Sequence, residues 1–202
     1  MSNEFIQPLN TIGPMKEGSE IDKLDDNPAR QDYRGGRKLL TEGNYVQAAL
    51  AFHNALLGFE EQGDQVGVAN ASDRLGDTCL ARGEYAMAIA NYQRTASICE
   101  TQDDSFSLLA VNKKMATAYR KLGDGEKALE LLYDMLEHYR LIHNPEGAVA
   151  TLTLIGETYE ELGELPKAAD AYRSIAGIHS RFKHDRLAKE FAERADALEQ
   201  DR

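Results

Sequence analysis

The sequence contains no tryptophan, two cysteines and five prolines in 202 residues, and each scarcity is informative. Cys79 and Cys99 stand twenty residues apart with no Cys-x-x-Cys pattern, which argues for buried, inert thiols over a disulfide or redox pair. No stretch approaches the run of about 18 apolar residues that spans a bilayer. The first residues, Met-Ser-Asn-Glu-Phe-Ile-Gln-Pro, lack the basic start and apolar core of a secretory signal. The expectation is a soluble, cytoplasmic chain with no membrane insertion. Basic residues are also the minority, 23 Lys and Arg against 34 Asp and Glu, for a net charge of −11. Nucleic-acid binding rests on cations that neutralise phosphates, so no nucleic-acid partner is expected.

Catalytic patterns are missing as well. The five histidines include two pairs, His138/His143 and His179/His184, each five residues apart, and neither spacing fits one helix face. With no His-Glu-x-x-His motif, structural or solvent-facing roles are expected and no metal site. The paired carboxylates Glu60-Glu61 and Glu160-Glu161 fall at expected helix ends and suit solvating charges better than acid–base work. No glycine loop for phosphates is present. The expectation is a protein without catalytic residues or cofactor.

What the chain does contain is a repeat. Gly43-Asn-Tyr-Val-Gln-Ala-Ala, Gly83-Glu-Tyr-Ala-Met-Ala-Ile, Gly123-Asp-Gly-Glu-Lys-Ala-Leu and Gly163-Glu-Leu-Pro-Lys-Ala-Ala follow one another at forty-residue intervals. Each is a helix-breaking Gly, a polar residue and a new apolar-periodic run, so each marks a turn between two helices. Counting from the glycine, offsets −8 and −7 hold Gly35-Gly36, Leu75-Gly76, Met115-Ala116 and Ile155-Gly156, and offset −4 holds Leu39, Cys79, Tyr119 and Tyr159. These share one face of the first helix. Offset +5 is Ala in every copy (Ala48, Ala88, Ala128, Ala168), and +9 is Phe52, Tyr92, Leu132 and Tyr172. The small residues let paired helices approach, and the bulky ones fill the space between them at roughly 1.5–3 kcal/mol each when buried. Tyr45 and Tyr85 also fall at offsets expected to pack. A Gly inside a helix costs about 1 kcal/mol relative to Ala, so its recurrence at 36, 76 and 156 implies a packing reason. One pair cannot bury both faces, so successive pairs must stack.

The links between pairs carry capping signals: Gln62-Gly63-Asp64, Asp103-Asp104-Ser105 and Asn144-Pro145. The domain reading is an acidic tail over 1–28, four repeats at about 29–64, 65–104, 105–144 and 145–182, and a capping helix within 183–202. The tail holds three of the five prolines and six acids against two lysines, and is expected to be flexible or disordered. In the cap, Leu187, Ala188, Phe191, Ala192, Ala195 and Leu198 form the apolar stripe. The fold class is all-α: four antiparallel helix pairs plus a C-terminal capping helix.

The run Leu75-Gly76-x-x-Cys79-x-x-x-Gly83-Glu84-Tyr85-x-x-Ala88-x-x-x-Tyr92, with its parallel copies, resembles the tetratricopeptide repeat family. The period of forty exceeds that family's usual thirty-four and resembles its longer-helix subgroup, whose links read Gly-Asp-x-x-Gly, as at Gly63-Asp64-Gln65-Val66-Gly67. Gly35-Gly36 and Gly125 depart from the pattern and imply looser packing in the first and third repeats. The resemblance implies a right-handed α-solenoid and a non-catalytic adaptor or scaffold that binds a partner's peptide or helix in a concave groove lined by the first helices. Alternatives are a structural assembly protein that self-associates through its tail and solenoid ends, or a peptide-sensing regulator. Offsets −10, −6 and −3 place Tyr33, Arg37, Asp77, Lys113, Thr117, Arg120, Thr153, Glu157 and Glu160 along the groove, with Arg34, Arg74 and Lys114 beside them at −9. The groove is expected to be basic in its N-terminal and middle parts and acidic at its C-terminal part, which favours a partner with an acidic segment. The two-carboxylate clamp that some relatives use on chaperone tails is not matched, because of its positions Tyr33, Arg37, Asp77, Lys113 and Thr117 only Lys113 fits.

Overall fold

A computed structural model describes residues 27–200. The tail assigned to 1–28 therefore lies, apart from its last two residues, outside the described residues. All regular structure among them is α-helical: α1 (Pro28–Thr41), α2 (Tyr45–Gln62), α3 (Gln65–Ala81), α4 (Tyr85–Thr101), α5 (Ser105–Leu122), α6 (Gly125–Leu141), α7 (Pro145–Glu161), α8 (Leu165–Arg181) and α9 (Asp185–Gln200). They divide into two compact units, the first ending at Ala118 and the second beginning at Tyr119. Within the first, α1 packs on α2, α2 on α3 and α3 on α4; within the second, α6 packs on α7, α7 on α8 and α8 on α9.

Each of α1 to α8 ends in the same way. Gly43, Gly63, Gly83, Gly123 and Gly163 have φ between +69° and +88°, and Asp103, His143 and Lys183 take the same left-handed conformation at φ 53–58°. The positions 43, 63, 83 and onward to 183 are therefore twenty residues apart. At each, two backbone hydrogen bonds close the turn. In the first, the Gly43 amide donates to the Leu40 carbonyl at 3.1 Å and the Asn44 amide to Leu39 at 2.8 Å; the last repeats this with Lys183 to Ser180 and His184 to His179, both at 3.0 Å. These are the paired bonds that satisfy orphan carbonyls at a helix end. The residue after the left-handed one already starts the next helix, as when Asn44 accepts from the Ala48 amide at 2.9 Å. Asp64, Asp104 and Asn144 add a side-chain cap, accepting from the amides of Gly67, Ser107 and Gly147 at 2.9–3.0 Å. One residue thus ends a helix and its neighbour opens the next.

Packing explains the helical glycines. A Cβ on Gly36 would stand 2.8 Å from the Phe52 ring, on Gly76 2.4 Å from Tyr92, and on Gly156 2.7 Å from Tyr172. The ring at +9 packs directly against the bare backbone at −7, and no side chain fits between them. The third repeat carries Ala116 and Leu132 at these offsets, a methyl group where the other position has lost its ring. The four Ala residues at +5 are completely buried. In the first unit Tyr33, Phe52 and Phe59 centre the core, with Tyr33 edge-on to the other two rings at 5.7 and 6.4 Å. In the second, Leu132, Met135, Ile155, Tyr172 and Ile175 are fully enclosed.

Two expectations need correction. Tyr45 is exposed, because it sits at the first position of α2, where its side chain has no preceding helical turn to lie on. The third repeat is not loosened at Gly125: this residue is buried, and Leu162 occupies the space of an aromatic there, with its Cδ2 2.9 Å from where a Cβ would be. Both cysteines are free and buried, and burial pushes the Cys99 thiol up to about 11, so neither is an activated thiolate.

The ring-on-backbone contact is testable by a double-mutant cycle. Gly36→Ala should cost about 1–3 kcal/mol by overpacking against Phe52. Combined with Phe52→Leu, which supplies the third repeat's pairing, the loss in urea unfolding should be smaller than the sum of the two single losses by at least about 1 kcal/mol. Additive losses would refute the contact.

Candidate functional site

The candidate site is the face of the first helices, where the columns at −10, −9, −6 and −3 emerge. In the first unit the middle of this face is a charge network. Lys114 on α5 donates to both Asp73 oxygens at 2.8 Å and reaches Asp77 at 2.9–3.0 Å; Arg74 bonds Asp77 at 2.8 Å. The Tyr92 hydroxyl donates to Asp77 at 3.0 Å, and the Lys114 ammonium stands 5.9 Å from the Tyr92 ring centroid. Burial and the adjacent Asp77 carboxylate push the Asp73 carboxyl above its usual range, against the pull of Lys114. Burial and Asp77 likewise push the Tyr92 phenol up.

The second unit repeats the motif. Arg194 on α9 lies over the Tyr172 ring, 4.1 Å from its centroid, and bonds Glu160 on α7 at 2.9 Å. Lys114 and Arg194 both follow the ring they cover by twenty-two residues. The cation at −9 of one first helix thus caps the +9 ring of the preceding pair and binds a carboxylate on the preceding first helix. Near the end of α5, Arg120 forks onto Glu161 at 2.8 and 3.1 Å and onto Glu157 at 3.1 Å; its hydrogen bonds to Glu161 hold its pKa above the usual arginine value.

This geometry revises several site residues. Tyr33 does not face a partner: it is fully buried, because the −10 position of the first repeat fills the core beside Phe52 and Phe59. Arg74 and Lys114 are neutralised by Asp73 and Asp77, and Arg120 by Glu157 and Glu161, so the expected separation into basic and acidic parts is largely cancelled by pairing on the protein itself. Thr117 and Thr153 turn their hydroxyls back onto the carbonyls of Lys113 and Val149 at 3.0 and 2.9 Å. Arg34 and Arg37 are half-buried on α1, and Lys113 is exposed. The structure brings together Arg74 with Asp77 and Arg120 with Glu157. The twenty-two-residue step from ring to cation was the signal in the sequence that would have exposed the pairing.

A feature absent from the sequence reading lies on the other side of α7. Between α6, α7 and α8 is a hollow of about 280 Å³, lined by Tyr133, Leu136, Leu152, Ile155, Tyr159 and Ala171 among others. The Tyr133 and Tyr159 hydroxyls meet at 3.0 Å, Lys167 stands 5.3 Å from the Tyr159 ring centroid, and burial together with the Tyr159 bond pushes the Tyr133 phenol up to about 12. Among the described residues no group of three or more His, Cys, Asp or Glu side chains forms a metal cage. None of their helices is long and apolar enough to cross a membrane.

Asp77 accepts from a lysine, an arginine and a phenol, whereas Asp73 is burdened by burial and a like charge. Asp77→Asn should therefore cost about 1–3 kcal/mol in urea unfolding at pH 7, and Asp73→Asn distinctly less. Because the folded state binds the Asp73 proton more tightly than the unfolded state, this residue's contribution to stability grows as pH falls through its raised pKa. Asp73→Asn removes that component. Equal losses in the two variants at pH 7 would contradict the assignment.

No curated protein matches the chain by sequence. The tetratricopeptide repeat family model matches residues 107–178, from α5 into α8. Among solved structures, a Podosopora anserina kinesin-light-chain-type protein with nearly identical TPR-like repeats is 15% identical with a TM-score of 0.61, over 86% of this chain and 97% of that one. RapI in its apo form is 17% identical with a TM-score of 0.74 over 86% of this chain, which spans only 49% of the RapI chain. BtubC from P. vanneervenii is 13% identical with a TM-score of 0.59, over 82% and 77%. These likenesses carry the fold. Residues 107–178 thus match the tetratricopeptide repeat family by sequence, and the chain shares the helix-pair fold of the TPR-like structures it resembles.

Proposed function

We propose that this chain is a non-catalytic interaction module that binds a peptide or helix of a partner protein on the face of its first helices. The observation that carries this reading is the burial pattern of that face. Arg34, Arg37, Arg74, Asp77 and Thr117 in the first unit, and Arg120, Thr153, Glu157 and Glu160 in the second, are all half-buried polar side chains. Within each unit these partly desolvated polar groups share the first-helix face and offer a ligand hydrogen-bonding groups that few water molecules screen. The outer faces of the second helices differ, with Val46, Leu50 and Met87 largely exposed. One structural neighbour, a Rap protein with a TM-score of 0.58 and 16% identity, was crystallised in complex with competence and sporulation factor, and this chain spans 62% of it. That complex supports reading the fold as a ligand-binding one.

The partner's chemistry follows from the cations of the first unit. An acidic segment would meet the exposed Lys113 on α5 and the half-buried Arg34 and Arg37 on α1. A partner recovered by co-purification should lose at least tenfold in affinity to the Arg37→Glu, Lys113→Glu double variant, with helicity unchanged by circular dichroism. Full affinity in the variant would place the site elsewhere.

A second reading, self-association, has its own observation. Val46, Leu50 and Leu57 on α2 are 68%, 62% and 45% exposed and share one side of the helix. If copies associate there, Leu50→Glu should reduce the mass seen by light scattering to that of one chain. A wild-type protein that is already monomeric rules this reading out.

A further inference from the structure

We propose that His179 and His184 form a two-imidazole binding site for a borderline divalent cation, with Zn²⁺ as the reference ion. The pair is made by the last interhelical turn. In all eight turns the two backbone bonds hold the residue four before the left-handed position against the residue just after it. In seven of them the first of these is apolar, aromatic or cysteine, and the second is Asn, Asp or Glu. Only the turn at Lys183 carries histidine at both. Five residues apart do not share a helix face, but this turn folds them onto each other.

The geometry is that of a chelate. The two Nδ1 atoms lie 3.4 Å apart. A tetrahedral zinc ion with bonds of about 2.0–2.1 Å to imidazole sets two nitrogens about 3.3–3.4 Å apart. The ring centroids are 5.6 Å apart, so the nitrogens face each other, and rotation of the exposed His184 ring against the half-buried His179 ring turns both lone pairs toward one point. Each imidazole is backed by a phenyl ring: His179 stacks on Phe191 at 5.8 Å and 18°, His184 on Phe182 at 6.2 Å and 28°. Without a cation the two nitrogens share one hydrogen between them; with one, both present lone pairs. Among the described residues no third His, Cys, Asp or Glu joins the pair, so the remaining coordination positions are open to water. Imidazole suits Zn²⁺, Ni²⁺ and Cu²⁺ and not Mg²⁺, which prefers oxygen.

The repeat itself supplies variants that keep the fold. His179→Tyr and His184→Asn restore the residue types of the turn at His143, Tyr139 and Asn144. Calorimetric titration of the full chain with ZnCl₂ should give one site per chain in the wild type and at least tenfold weaker binding in either variant, with helicity unchanged and no response to MgCl₂. In the wild type, zinc should shift the imidazole resonances of His179 and His184 and leave those of His53, His138 and His143 in place. Absence of zinc binding, wild-type affinity in both variants, or shifts confined to the other three histidines would each overturn the proposal.

Discussion

The left-handed turn that recurs every twenty residues is the constraint from which the rest of this molecule follows. A residue with positive φ lets the chain reverse within two residues while the carbonyls it strands are taken up by the two following amides. Loops are thereby reduced to almost nothing, and every helix is fixed in length and phase. Because the phase is fixed, the same offset from each turn reaches the same environment in every pair. Where Gly is replaced, at Asp103, His143 and Lys183, the conformation persists, so the packing on either side outweighs a strain of about 1 kcal/mol or more.

Within that register, three columns act together. A small residue at −7 exposes backbone; a ring at +9 lies on it; a cation at −9 of the following first helix covers the ring and pairs with a carboxylate. Aromatic contact with bare backbone contributes dispersion and apolar burial, while the cation adds attraction to the ring face. Half-buried ion pairs of this kind contribute less to net stability than they appear to, but removing one partner leaves a costly uncompensated charge. Much of the charge on the first-helix face therefore belongs to the protein's own architecture.

The repeat, the helix pairs, the turn glycines and the small-to-bulky complementarity were all legible in the sequence, because they depend on spacing along one helix and on residue size. The site was legible only as a list of offsets. Tyr33 sits at a groove offset yet fills the core, where its ring packs edge-on to Phe52 and Phe59. Lys114 and Arg120 read as available cations because their carboxylate partners lie on other helices. Asp73 lies forty-one residues from Lys114, and Glu161 forty-one from Arg120. A helical wheel does not display such a pairing.

By itself the sequence determined the phase of every helix, since a positive-φ position and an apolar period are local properties that each copy states independently. Tertiary structure alone decided which polar groups meet. Side chains at equivalent offsets on neighbouring helices are far apart in the chain, and whether they pair, bury or face water depends on helix separation. That separation is set by rings and glycines packing in three dimensions. The His179 and His184 pair shows the same division: five residues apart they share no helix face, and only the turn at Lys183, closed by its two backbone bonds, sets their nitrogens 3.4 Å apart.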